Sequence, residues 1–306
     1  MFKYDFDVPA NKKIRLLVHT DCKNEADDQF ALAHHLMTPK FIVQGIIAGH
    51  FDCYPQEYGK GNTVKASYDE IIKVMDLMDL SDQYPVAMGA SGPLPDEKTP
   101  IPSAGAEMII QEALKDSPLP LFVVFQGSLT DLASAYLLEP KIAEGMTAIW
   151  IGGGKWPAGG FEFNLLQDIH AANVVFRSPI PLWQIPINVY KQVAVSLAEL
   201  QYRVKPCGEI GRYLFEQMVA FNDRLAYYQE WPHGESWGLG DQGTVTVLLE
   251  ERERMNYDLC PAPRILQDMS YDHDHDQDNR EIRVYHTLDS RLTLEDFYAK
   301  LAINFK

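Results

Sequence analysis

An apolar run from Ile14 to Val18 gives way at Asp21 to an acidic loop, and four carboxylates (Asp21, Glu25, Asp27, Asp28) fall within eight residues. The run reads as a buried strand, and the doubled Asp27-Asp28 stands where a helix begins. In open α/β sheets ligands bind beyond the carboxyl ends of strands, and Asp21 lies at such an end. Carboxylates this close repel one another unless a cation or a proton compensates them. All-oxygen ligands imply a hard cation, Ca²⁺ or Mg²⁺, rather than zinc. A plainer reading makes Asp21 the start of a turn and Asp27 and Asp28 complements to a helix dipole. The strand-end position of Asp21 and the doubling of the Asp favour a metal.

Strand-like and helical patterns alternate through most of the chain. The strand-like stretches are 14–18, 41–48, 86–88, 121–125, 148–151 and 181–187; the helical ones between them are 27–37, 64–80, 106–114, 129–138 and 169–176. Strands apolar on both faces, each followed by a helix, predict an α/β fold: a mostly parallel open sheet covered by helices on both faces. Beyond Leu197 the pattern becomes more helical and irregular, a Gly-rich turn after Trp237 opens another helix, and 282–285 alternates like a strand. No linker divides the chain, so a single domain over residues 1–306 is expected.

A formal net charge of −16, from 27 basic and 43 acidic residues, argues against nucleic acid as a partner but not against an uncharged nucleoside. No signal peptide and no apolar stretch long enough to span a membrane is visible. Cys22, Cys53, Cys207 and Cys260 lack zinc-site spacing and fit reduced thiols, so a cytoplasmic location is expected. Cys22 adjoins Asp21 but has no clear basic partner and reads as filler. A homo-oligomer is left open.

The segment Thr20-Asp21-Cys22-Lys23-Asn24-Glu25-Ala26-Asp27-Asp28-Gln29 resembles the N-terminal motif of the inosine-uridine-preferring nucleoside hydrolase superfamily, in a divergent nucleoside-hydrolase-like form. Gly127-Ser128-Leu129-Thr130-Asp131-Leu132-Ala133 is similar to the family's Gly-Pro-Leu-Thr-Asn-Leu-Ala. Glu162-Phe163-Asn164, with Asp168 and Ala171-Ala172, is similar to its Glu-Phe-Asn segment. The matches keep the family's order over most of the chain.

The resemblance implies a Ca²⁺-dependent hydrolase of the N-glycosidic bond of a ribonucleoside or related N-riboside. It implies Ca²⁺ held by Asp21, Asp28, Asp241 and the carbonyl of Thr130, with Asp21 and Asp27 as catalytic groups. Aligned without gaps, Lys23 falls on a family Asp; a loop two residues longer avoids placing an ammonium beside the cation and is the reading adopted. Glu162 and Asn164, on one side of an extended segment, suit sugar hydroxyls. His50 and Trp156 stand where the family has Asn residues that touch ribose, and both are candidate substrate contacts. Gly240 replaces a family His that protonates the leaving base; His233, Trp237 and Tyr228 are the candidate substitutes. Rival readings are a catalytically impaired sugar-binding relative and a metal-dependent hydrolase of another bond. The tract Asp272-His273-Asp274-His275-Asp276 reads as a charged surface loop, and Gly152-Gly153-Gly154-Lys155 lacks phosphate-loop spacing.

Overall fold

The protein is described as a computed structural model covering residues 2–250, 256–274 and 280–306. In chain order its elements are β1 (Ile14–Thr20), α1 (Asp28–Met37), β2 (Phe41–Ala48), α2 (Thr63–Leu77), β3 (Val86–Met88), α3 (Ala104–Ala113), β4 (Leu121–Gln126) and α4 (Thr130–Leu138). Then come β5 (Thr147–Ile151), α5 (Phe163–Gln167), α6 (Ile169–Arg177), β6 (Leu182–Ile185), α7 (Ile187–Tyr190), β7 (Ala194–Ser196), α8 (Leu197–Arg203) and α9 (Gly208–Ala226). The remainder is β8 (Ser236–Gly238), α10 (Gly243–Leu249), β9 (Tyr257–Pro261), β10 (Arg264–Ile265), β11 (Tyr271–Asp272), β12 (Glu281–Tyr285) and α11 (Ser290–Phe305).

Eight strands form the central sheet in the order β3-β2-β1-β4-β5-β6-β12-β9. All neighbours run parallel except β9, which is antiparallel to β12 at the edge. The α/β class expected from the sequence is the one observed. Period-two alternation explains why both faces are apolar. Leu16, Val18, Val124 and Ile149 enter one core with Phe30 of α1, Val74 of α2, Leu214 of α9 and Phe297 of α11. Leu17, Val123, Phe125 and Trp150 enter the other with Ile109 of α3, Leu132 of α4 and Val175 of α6.

The strand order reverses at β1, whose neighbours are β2 and β4. Adjacent strands there send their connections to opposite faces and leave a crevice beyond their carboxyl ends. Thr20 of β1 is paired with Gln126 of β4 at this end, so the acidic loop after β1 opens into that crevice. Trp150 fastens its floor: the indole Nε1 donates to the Gly127 carbonyl at 3.0 Å, and the ring is fully buried against Phe176.

The edge strand β9, the small β7–β8 and β10–β11 pairs, and α11 go beyond the sequence reading. The α11 helix covers α1, where Asp296 meets the buried His34 at 2.7 Å.

Trp150→Phe keeps most of the apolar volume but leaves the buried Gly127 carbonyl without its donor. A loss of about 1–3 kcal/mol is expected in denaturant unfolding; an unchanged midpoint would show that this hydrogen bond is dispensable.

Candidate active site

Asp27, Asp28 and Asp241 offer carboxylate oxygens that all lie within 4.8 Å of one another, and all three residues are buried. They come from distant parts of the chain. Asp28 is the first residue of α1, and its Oδ1 accepts from the Thr20 hydroxyl at the end of β1. Asp27 makes no side-chain cap bond to α1; instead its Oδ2 accepts from the Asp241 amide at 3.4 Å. Asp241 sits in a single 3-10 turn, Gly240–Gln242, before α10. Its carbonyl is held by Gln126 Nε2 at 3.1 Å and Thr244 Oγ1 at 2.8 Å. The plainer reading holds in part, since Asp21 begins a turn and Asp28 stands in the first turn of α1, but Asp27, Asp28 and Asp241 also converge.

Asp21 lines the same cavity, just outside the tight triad. Its Oδ2 is buried with no hydrogen-bond partner. The end of β4 approaches it so closely that a Cβ on Gly127 would meet the Asp21 Cγ at 3.1 Å, which favours glycine there. With Asn24, Glu25, Gln126, Ile151, Glu162, Phe163, Asn164, Tyr190 and Gly240, these four Asp residues enclose a cavity of about 50 Å³. Among the described residues no Lys or Arg lines it. Lys23 turns away to Glu70, 3.0 Å distant, in a separate groove, which fits the longer-loop reading. A larger groove of about 610 Å³ between α8 and α11 has no acidic lining residue and no comparable chemistry.

Burial and mutual repulsion set the electrostatics. Burial, then Asp28, Glu25 and Asp27, hold the Asp21 carboxyl well above the usual range. Burial and the charges of Asp28, Asp27 and Asp21 do the same to Asp241. Asp28 is pushed up to about 8 by burial and then Asp27. Asp27 rises to about 6, because burial outweighs the backbone amides of Asp241 and Gly240 that favour its charge. An orphaned buried oxygen, three converging carboxylates and no lining cation make this donor set fit a hard metal ion.

Glu162 and Asn164 enter from the other side. They do not share an extended segment as expected: Glu162 is extended but caps the N-terminus of α5, and Asn164 lies inside that helix. The helix turn still brings both into the cavity. Glu162 Oε2 accepts from the amides of Leu165 (2.9 Å) and Gly153 (2.8 Å), and Oε1 from the Asn164 amide (3.1 Å) and the Tyr190 hydroxyl (2.9 Å). Gly153 has φ +87°, and a Cβ there would meet Gln184 Nε2 and Tyr271 Oη at 2.2 Å, so only glycine presents this amide. Asn164 Nδ2 donates to the Ile151 carbonyl at 2.9 Å.

The sequence pattern of the family described as inosine-uridine preferring nucleoside hydrolase matches residues 16–295. The chain belongs to this family. It is a nucleoside-hydrolase-like N-ribohydrolase. Among curated relatives, a pyrimidine-specific ribonucleoside hydrolase, RihA, of Salmonella paratyphi A is 24% identical over 250 residues, covering 75% of this chain and 78% of the relative. Among solved structures, a purine-preferring ribonucleoside hydrolase from Gardnerella vaginalis superimposes with a TM-score of 0.75 at 17% identity, over 94% of this chain and 98% of that one. A plant nucleoside hydrolase, PpNRh1, gives 0.73 at 18% identity, over 94% and 99%. The structural likenesses establish the fold.

Within this nucleoside-hydrolase fold several expected contacts fall elsewhere. Thr130 opens α4, so its carbonyl points along the helix, and its hydroxyl donates to Asp168 Oδ2 at 2.7 Å. It does not line the cavity; Gln126, at the end of β4, does. His50 is fully buried behind the site, with Nε2 2.8 Å from Thr130 Oγ1, and burial lowers its pKa to about 4. Trp156 is half-buried against Tyr271 and His273, away from the cavity. His233 and Tyr228 are exposed and Trp237 packs against Phe221 and Trp231, so none of the three lines the site. Cys22 is buried and its thiol is pushed up chiefly by burial, which fits a filler role. His273 bonds the Pro157 carbonyl at 2.7 Å, while His275 and Asp276 of the same tract lie outside the described residues.

Sequence reasoning missed Asn24, Gln126 and Tyr190. Gln126 and Tyr190 could have been found by asking which residues end or follow β4 and β6, since every parallel strand opens toward the same edge.

The raised values of Asp27 and Asp28 give a test. Their protonated forms favour folding, so in chelator the stability they contribute is full below about 4, the unfolded carboxylate range, and fades as pH rises through about 6 and about 8. Melting temperature should fall over that window and be restored by Ca²⁺ near its upper end. A flat profile would contradict the shared carboxylate charge.

Proposed function

We propose that the protein hydrolyses the N-glycosidic bond of a ribonucleoside or related N-riboside, with Ca²⁺ as cofactor. The observation that carries this reading is the convergence, in one cavity, of Asp21, Asp27, Asp28 and Asp241 on one side and Glu162 and Asn164 on the other. Asp28, Asp241 and Asp21 would hold the cation, with Gln126 rather than Thr130 as the neighbouring β4 residue. When bound, Ca²⁺ supplies charge that neutralises the cluster and acidifies a water.

The chain's own groups do the rest. Asp21 Oδ2, which has no hydrogen-bond partner within the protein, takes the proton from the water that attacks the anomeric carbon. Asp27 places negative charge beside the sugar as positive charge develops on it. Asn164 and Glu162 orient the hydroxyls, and Phe163 shields the cavity from water. The absence of lining cations supports a neutral riboside over a phosphoester. The reduced thiols Cys22, Cys53, Cys207 and Cys260 support work in the cytoplasm.

The discriminating experiment is turnover with Ca²⁺. Gly240 has no side chain and, among the described residues, no histidine lines the cavity, so a leaving group that needs a proton is served poorly. Hydrolysis of p-nitrophenyl riboside should exceed that of inosine by about 10²–10⁴-fold in kcat/KM, the usual worth of a general acid. Comparable rates would reveal a replacement acid; no turnover of either, with Ca²⁺ and ribose still bound, would make the protein a binding relative.

Asn164→Ala and Glu162→Gln should each weaken ribose binding by about 1–3 kcal/mol, measured by titration with Ca²⁺ present. Unchanged affinity in a folded, cation-binding variant would remove these residues from the sugar site.

A further inference from the structure

Glu162 has no acceptor capacity to spare. A carboxylate oxygen takes about two hydrogen bonds, and Oε1 and Oε2 each already accept two. Three of the four donors are backbone amides: Asn164 and Leu165 in the first turn of α5, and Gly153 in a loop that tolerates no other residue. None can withdraw without unwinding that helix start or the loop. The fourth donor, the Tyr190 hydroxyl, is on a side chain that can rotate.

The Tyr190 ring also fills the space beside Gly240. A Cβ at position 240 would lie 2.7 Å from its Cδ2 and 3.3 Å from its Cε2. One aromatic ring therefore occupies the place of a side chain at 240 and closes the sugar carboxylate. The ring lines the same cavity as Glu162, Asn164 and Asp241.

We propose that Tyr190 is a gate on the sugar carboxylate: its hydroxyl holds the last acceptor position of Glu162 in the empty site and surrenders it to a substrate hydroxyl. The gate rests on the ribosidase reading above and names the residue that sets its affinity. Tyr190 stays a donor in the empty site, since burial and then Glu162 hold its phenol well above its ordinary value. Substrate binding exchanges one hydrogen bond to Glu162 for another, so part of the sugar's binding energy goes into displacing the ring. Only a ligand with a hydroxyl able to replace the phenol repays the exchange, which makes Tyr190 a selector for hydroxylated sugars over deoxy analogues.

The test compares wild type with Tyr190→Phe, both with Ca²⁺, using an iminoribitol as ribose analogue. The variant keeps the ring against Gly240 and frees one acceptor of Glu162. It should melt lower when empty, show a larger stabilisation by ligand, and bind the iminoribitol about tenfold more tightly, the size expected for one hydrogen bond to a charged group. In turnover of p-nitrophenyl riboside, KM should fall. Binding by wild type with equal or weaker binding by the variant overturns the gate and leaves the ribosidase reading standing. Failure of both proteins to bind overturns the sugar reading and the gate with it. If the variant does not fold, the wild-type complex decides: Tyr190 Oη should lie beyond hydrogen-bond reach of Glu162 Oε1, and a contact kept at about 2.9 Å overturns the gate.

Discussion

Mutual repulsion among buried carboxylates is the constraint around which this end of the molecule is built. Asp21, Asp27, Asp28 and Asp241 are each at least nine-tenths buried, and their charged forms are disfavoured first by burial and then, for all but Asp27, by one another. An apolar core never assembles such a set for stability, because each uncompensated buried charge costs several kcal/mol. The surrounding backbone is organised to tolerate it. Thr20 donates to Asp28, the Asp241 amide donates to Asp27, and Gln126 ties the Asp241 turn to the end of β4. Glycine at 127 lets β4 come close enough to Asp21 to close the cluster.

The opposite wall uses a different device. Glu162 is charge-capped by a helix start, a glycine amide and a phenol, so a single carboxylate fixes the α5 helix, the Gly-rich loop after β5 and the α7 helix together. Glu162 is thereby fully hydrogen-bonded, whereas Asp21 Oδ2 on the acidic wall is buried without a partner. The Tyr190 ring fills the space beside Gly240, and its hydroxyl donates to Glu162.

Much of the strand and helix order through β6 was readable because parallel strands buried on both faces carry apolar runs, as Leu121–Phe125 does. The acidic motif and Glu162-Phe163-Asn164 stood out through residue type and family resemblance; the period-two spacing expected of Glu162 and Asn164 does not hold, since Asn164 lies inside α5. Other features were not. The edge strand β9 is mostly exposed and lacks an apolar run, and α11 has only a weak apolar stripe. Thr130 and His50 sit in matching motifs, yet helix and strand ends rotate them into a buried network with Ser128 and Asp168. The place of Tyr190 beyond β6 was open to sequence reasoning, but its partners were not, because Glu162 and Gly240 are 28 and 50 residues away and only the fold joins them.

The most direct measurement is titration calorimetry of Ca²⁺ into cation-free protein, in buffers of differing ionisation enthalpy near pH 7. If the buried carboxylates share a single cation, binding should reach one ion per chain and release protons. Both the binding and the release should vanish when Asp28 and Asp241 are replaced by Asn. Binding without proton release, or binding that survives the double substitution, would contradict a cation site built from this cluster.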